Sequence, residues 1–181
     1  MGGPLSEGGE QAPGRRAGRW MIYAAWILVL LMATWFFRVI LDDQHNPNQN
    51  VTTRTDGGAV EVRLERNNQG HFVASGRING HPVTFLIDTG ATDVSIPGTL
   101  ADRIGLERKA RVNYSTANGV AAAYLTRLDS VRIGDIEIRD IRGSINPNVE
   151  FDKVLLGMSF LEQIDFTQRN QQLILRQGVS R

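Results

Sequence analysis

Between Trp20 and Phe37 the chain reads "WMIYAAWILVLLMATWFF", eighteen residues in which Thr34 is the single polar side chain. A helix apolar on every face exceeds what a small domain can bury, because an ordinary surface helix hides only one stripe. In lipid the same helix satisfies all of its own backbone groups. Extended through Arg38 to Leu41, it rises about 1.5 Å per residue and spans roughly 33 Å, enough to cross a bilayer core. Trp20 and Tyr23 at one end, and Trp35 at the other, suit the two interfaces, while Arg38 can snorkel outward. A cleaved signal peptide fits less well: its apolar run is roughly 7–15 residues and a small-x-small site should follow. Arg15-Arg16 alone is weak support for a twin-arginine signal. Residues 20–41 read as a membrane anchor.

The flanks give an orientation. Arg15, Arg16 and Arg19 precede the span, and Asp42 and Asp43 follow it. The positive-inside rule leaves the N-terminus cytoplasmic and carries the remainder across. In a bacterium that is a single-pass inner-membrane protein with a periplasmic domain. Residues 1–19, rich in Gly, Pro and Glu, bury almost nothing and are expected to be a disordered tail. Residues 42–59, "DDQHNPNQNVTTRTDGGA", read as a linker. Fully extended at 3.3–3.6 Å per residue it reaches about 60 Å, which favours substrates near the membrane. One domain of ordinary size then occupies residues 60–177.

Composition removes several chemistries. There is no cysteine, which excludes disulfides, thiolate metal sites and cysteine nucleophiles. His45, His71 and His81 show no metal-ligand spacing, so no metal or other cofactor is expected. Formal net charge is +1, with acids and bases interleaved as in "EVRLER". Nucleic-acid binders concentrate basic charge on one stretch or face, so nucleic acid is not an expected partner.

In the domain the hydrophobic period is mostly two. "AVEVRLER", "HFVASGRING" and "HPVTFLID" alternate, the last two meeting at Asn79-Gly80, a strong hairpin signal. "RVNYSTA" and "VAAAYLTRL" flank Asn118-Gly119 as a second hairpin, and "SVRIGDIEIRDIRGSI" reads as strand, Gly-Asp turn, strand. Helices are short: "GTLADRIGL", with Thr99 as N-cap and Gly105 as stop, and "SFLEQI". "QQLILRQ" closes the domain as a strand. A mostly β fold with one or two short helices is expected.

The apolar run "VTFLI" ends abruptly on Asp88-Thr89-Gly90. An isolated carboxylate in apolar surroundings is costly. Asp88 either caps a turn or is there for chemistry. Placed at the end of a rigid strand, it can act as a general base. Two carboxylates sharing a proton can both activate water and protonate a leaving group. The chain has no second Asp-Thr-Gly; Asp165-Phe166-Thr167 lacks the glycine. A dyad would therefore need a second copy of the chain across a two-fold axis.

Asp88-Thr89-Gly90-Ala91-Thr92 after "VTFLI", the hairpin near Asn118-Gly119, and "VLLGMSFLEQIDF" together resemble the retroviral-type aspartic proteases, or retropepsins, and most closely their single-span bacterial relatives. The resemblance covers roughly residues 70–177. It implies a closed, retropepsin-like β-barrel, one lobe per chain, working as a homodimer on a polypeptide substrate without a cofactor. Asp88 of each chain would bind one water. Thr89 would hydrogen-bond across the dimer, and Gly90 would contact substrate backbone. Ala117, Asn118, Gly119 and Val120 would form the tip of a flap over the peptide, with Ala91, Thr92 and Asp93 lining a subsite. "QQLILRQ" would lie in or near the dimer interface. Two features depart from the viral pattern: Thr92 stands where viral enzymes carry Asp, and the flap tip is rich in alanine rather than glycine. Tyr114 and Tyr124 flank that hairpin, either over the cleft or in the core. Asp102 and Asp129 read as solvated positions. A non-catalytic peptide-binding module of the same fold is the alternative, since a groove can hold a strand by main-chain bonds alone.

Overall fold

The computed structural model describes residues 14–116, 119–149 and 152–178. Contacts divide the chain between Asp42 and Asp43 into two units. The first is carried by α1 (Gly14–His45), within which Trp20–Arg38 is long and apolar enough to cross a membrane. The apolar side chains from Trp20 to Phe37 are largely exposed, as a helix packed only by lipid would leave them. Thr34, the lone polar residue of the eighteen, donates its hydroxyl to the Leu30 carbonyl at 2.8 Å, so its donor is satisfied within the helix. The helix is longer than the apolar run at both ends. Residues 14–19, expected in the disordered tail, and residues 42–45, expected in the linker, are helical. Once the apolar turns exist, each flanking residue adds a hydrogen bond at little entropic cost. The remainder of the expected tail lies outside the described residues.

The second unit is built almost wholly from strands. Four form an antiparallel sheet in the order β1-β2-β11-β10: β1 (Thr53–Asp56), β2 (Ala59–Glu65), β10 (Asp165–Arg169) and β11 (Gln172–Gln177). Alternation in "AVEVRLE" turns Val62 and Leu64 into the core, facing Leu173 and Leu175 on β11. The segment expected as a free linker is already folded. Asn48 is 5% exposed. Its side chain accepts from Glu65 N–H at 2.7 Å and donates to the carbonyls of Glu65 and Val73 at 2.9 and 2.6 Å. Polar composition disguised this strap, which is held by hydrogen bonds rather than by apolar burial.

The larger sheet contains β3 (Val73–Ile78), β4 (His81–Ile87), β5 (Val94–Pro97), β6 (Arg111–Thr116), β7 (Gly119–Ile133), β8 (Ile136–Asn146) and β9 (Val154–Leu156). Its order is β3-β4-β9-β5-β8-β7-β6, and β7 also pairs with β3 at Arg77↔Arg132 and Ile78↔Val131. Six strands thus form a ring of pairings around Phe85, Ile96, Leu128, Ile141 and Leu156. This is the mostly β architecture expected from the sequence. At the β3–β4 turn, Asn79 and Gly80 both have positive φ, 48° and 81°, as a two-residue hairpin of the primed type requires.

Two short helices complete the unit, α2 (Gly98–Arg103) and α3 (Met158–Leu161). Thr99 is not the N-cap of α2. Pro97, extended at the end of β5, occupies that position without a side-chain cap, and Thr99 falls inside the first turn. The stop at Gly105 is present: its N–H and that of Leu106 turn back onto the carbonyls of Asp102 and Ala101 at 3.3 and 2.9 Å.

Candidate active site

β4 is flanked on both sides, antiparallel by β3 and parallel by β9, with Phe85↔Val154, Leu86↔Leu155 and Ile87↔Leu156 in register. Val83 and Phe85 are buried on one face and Leu86 is partly covered on the other, which fits the continuous apolar run that precedes Asp88. The strand pairing carries one residue further, where Asp88 N–H donates to the Leu156 carbonyl at 3.1 Å. Asp88 then begins a tight turn: Ala91 N–H donates to its carbonyl at 3.2 Å, and Gly90 N–H donates to its Oδ1 at 2.9 Å. The carboxylate is therefore held by backbone at the end of a rigid strand. Asp88 thus closes a turn while its side chain remains half-buried.

The loop after Asp88 is pinned from behind. Met158 and Ser159, opening α3, donate their N–H groups to the carbonyls of Ala91 and Thr92 at 2.8 and 2.9 Å. Ser159 Oγ accepts from Val94 N–H at 3.1 Å and donates to the Arg142 carbonyl at 2.8 Å. Gly157 makes this approach possible. A Cβ there would lie 2.3 Å from the Asp93 carbonyl oxygen and 2.5 Å from that of Ala91, far inside contact distance.

Asp88 opens onto a cavity of about 420 Å³, lined also by Gly90, Ala91, Thr92, Asp93 and Tyr114. Ala121, Ala123 and Leu155 give it apolar walls, and Ser95, Ser144 and Asn146 add polar ones. Thr89 is exposed beside Asp88. Gly119 and Val120 begin β7 on the hairpin, Val120 being 76% exposed; Ala117 and Asn118 lie outside the described residues. Tyr124 packs against the core, whereas Tyr114 reaches the cavity.

Asp93 has a role that residue spacing did not reveal. Its side chain is nearly inaccessible, and both oxygens are engaged: Arg142 Nε donates to Oδ1 at 2.5 Å and the Tyr114 hydroxyl donates to Oδ2. Arg142 lies on β8 and Tyr114 on β6, so three separate elements meet at this carboxylate. The phenol of Tyr114 is pushed up to about 12, first by burial and then by its bond to Asp93, with a hydrogen bond from Ser144 acting the other way. The same carboxylate raises Arg142 above the usual guanidinium range. Partners 21 and 49 residues distant carry no local signal in the sequence. Among the described residues no cluster of three or more His, Cys, Asp or Glu is disposed to hold a metal ion.

Comparison with known proteins agrees with this geometry. Residues 74–163 match a family model described as "gag-polyprotein putative aspartyl protease". An uncharacterised protein from the cobV 5′ region of Sinorhizobium sp is 31% identical over 167 residues, which are 84% of this chain and 71% of that one. An uncharacterised protein of Rickettsia prowazekii (strain Madrid E) is 35% identical over 106 residues, 57% of this chain and 45% of that one. The crystal structure of a retropepsin-like aspartic protease from Rickettsia conorii superposes with a TM-score of 0.59 at 32% identity, covering 71% of this chain and 96% of that one. Asp-Thr-Gly at the end of a doubly flanked strand, the ring of strands behind it and these similarities converge: the chain belongs to the retropepsin-like aspartic protease family.

Proposed function

We propose that the chain is a membrane-anchored aspartic endopeptidase that cleaves polypeptides as a homodimer, one Asp88 coming from each copy. The observation that carries this reading is the Asp88 carboxylate, fixed by backbone at the end of β4 and opening onto a cavity large enough for a substrate side chain. One copy contains a single Asp-Thr-Gly, so the second carboxylate is supplied by the partner. A water lies between the two Asp88 side chains. One carboxylate removes its proton as the oxygen attacks the peptide carbonyl carbon, and the other, protonated, donates to the carbonyl oxygen. The tetrahedral diol then collapses: the first carboxyl gives the leaving nitrogen the proton it took from water, the C–N bond breaks, and the second carboxylate recovers a proton from a diol hydroxyl. Thr89 braces the pair across the dimer and Gly90 offers its backbone to substrate. Ala91, Thr92 and Asp93 border the subsite, and the hairpin tip from Ala117 to Val120 covers the peptide.

Two surface features support association of two copies. Among the described large hydrophobic side chains outside α1, the exposed ones are Val120, on the hairpin, and Phe166, on β10. β10 is an edge strand with all five residues exposed and one neighbour, β11, so a row of backbone groups is open to a second chain. In this reading Arg15, Arg16 and Arg19 stay on the cytoplasmic side, as the positive-inside rule favours, and the domain lies in the periplasm of a bacterium.

The test is cleavage of a peptide library by the full chain in detergent, beside Asp88→Asn. The variant is expected to keep its fold and lose about 10²–10⁴-fold in rate. Because the dyad works with at most one negative charge, the wild-type rate should fall as pH rises past the upper apparent pKa of the pair. A rate that climbs steadily from pH 5 to 9, or an Asp88→Asn variant that cuts normally, overturns the reading. Unchanged binding without cutting by the wild type points instead to a peptide-binding module.

A further inference from the structure

The hydrogen bond from Tyr114 to Asp93 joins two parts of the site that no backbone pairing joins directly. Tyr114 belongs to β6, which among the described residues pairs with β7 alone and forms the outer strand of its sheet. Asp93 belongs to the loop that begins at Asp88 and is pinned by α3. An outer strand with one neighbour is the least constrained wall of the cavity, and its position depends on whatever ties it inward. The tie here is a charged acceptor buried to 4% exposure, with its charge balanced by Arg142. Hydrogen bonds to an ionised partner are roughly twice as strong as neutral ones, and a buried acceptor that loses its donor is left unsatisfied.

We infer that Tyr114 is a positioning residue: by donating to Asp93 it holds β6 against the Asp88 loop and sets the width of the cavity that receives a substrate side chain. The inference rests on the proteolytic reading of that cavity, although the mechanical coupling does not. Tyr114 touches no reacting atom and acts through where it keeps the strand. Its high phenol pKa keeps it a protonated donor across neutral and mildly alkaline pH. Arg142, with its side chain 56% exposed, adds the counter-charge from β8 while leaving the cavity side to Tyr114. The expectation is therefore a defect in substrate capture, with the chemistry of Asp88 largely preserved.

The experiment uses the full chain in detergent and compares wild type, Tyr114→Phe, Asp93→Asn and the double variant. Phenylalanine keeps the ring and its packing, so only the hydroxyl is removed. Amide hydrogen exchange is read on residues 111–116 and 119–124 against β4 and β9, and kcat and KM are read on a peptide that the wild type cleaves. Tyr114→Phe should speed exchange in the hairpin strands about tenfold or more while leaving β4 and β9 unchanged. KM should rise by a similar factor with kcat within about twofold. The double variant should be no worse than the worse single variant, since the two partners act as one contact. Exchange unchanged in β6 and β7 overturns the proposal, as does a fall in melting temperature with kcat and KM both unaltered. If the wild type cleaves nothing in the library, the proteolytic reading falls, and the exchange pattern alone decides the coupling.

Discussion

At the scale of single residues, Gly157 lies against the Asp88 loop at a point where a side chain has no room. Two carbonyl oxygens, those of Ala91 and Asp93, converge where its side chain would begin. Both belong to the loop that Asp88 opens, which Met158 N–H holds at the Ala91 carbonyl and Ser159 N–H at the intervening Thr92 carbonyl. Gly157→Ala should therefore cost about 3 kcal/mol, at the upper end for an overpacked position. It should also weaken cleavage, because the relief available is a shift of the catalytic loop. Thermal melting and a cleavage assay on the same preparation check this; a stable, fully active variant would contradict it. Asp88, Thr89 and Gly90 were legible in the sequence because a carboxylate at the end of an apolar run is a local anomaly. Asp93, Tyr114 and Arg142 were not legible as a group. Each is an ordinary strand or loop residue until the fold brings them together.

At the scale of elements, what alternation and turn chemistry encode was readable. Burial alternates in β2 (Val62, Leu64) and β4 (Val83, Phe85), in β7 and β8 it alternates in stretches that shift phase between Leu128 and Val131 and between Ile138 and Ile141, and the Asn79-Gly80 turn adopts the backbone its residues prefer. β1 and the Asn48 strap were missed because they are polar and are held by hydrogen bonding. β10 was missed for the related reason that none of its side chains is buried. Asn48→Ala tests the strap. It removes one acceptor and two donor contacts, leaving Glu65 N–H and the Val73 carbonyl without their partner. The loss should be about 2 kcal/mol or more. The corresponding melting curve should shift downward, and amide exchange should rise at Glu65 and through residues 46–56. An unchanged curve would mean that the strap is an attachment rather than part of the fold.

At the scale of the whole molecule, one chain holds one Asp-Thr-Gly, so the proposed activity depends on association. Phe166 and the open edge of β10 are where the proposed dimer is most exposed to disruption. Phe166→Glu should weaken self-association at least about tenfold, or 1.4 kcal/mol, by removing an apolar contact and adding like charges that face each other across a two-fold axis. Sedimentation in density-matched detergent reads this directly, and activity should fall in parallel with the dimer fraction. A variant that sediments as the wild type does would move the interface elsewhere. The pairing of β2 with β11 carries a consequence in time rather than in space. Glu65 meets Gln172 and Val60 meets Gln177, so the first long strand of the domain waits for the last. Contacts of such long range are slow to form, because loop closure must precede the pairing that rewards it. The four-stranded sheet cannot assemble before β11 has been made, and until then β2 waits without that neighbour.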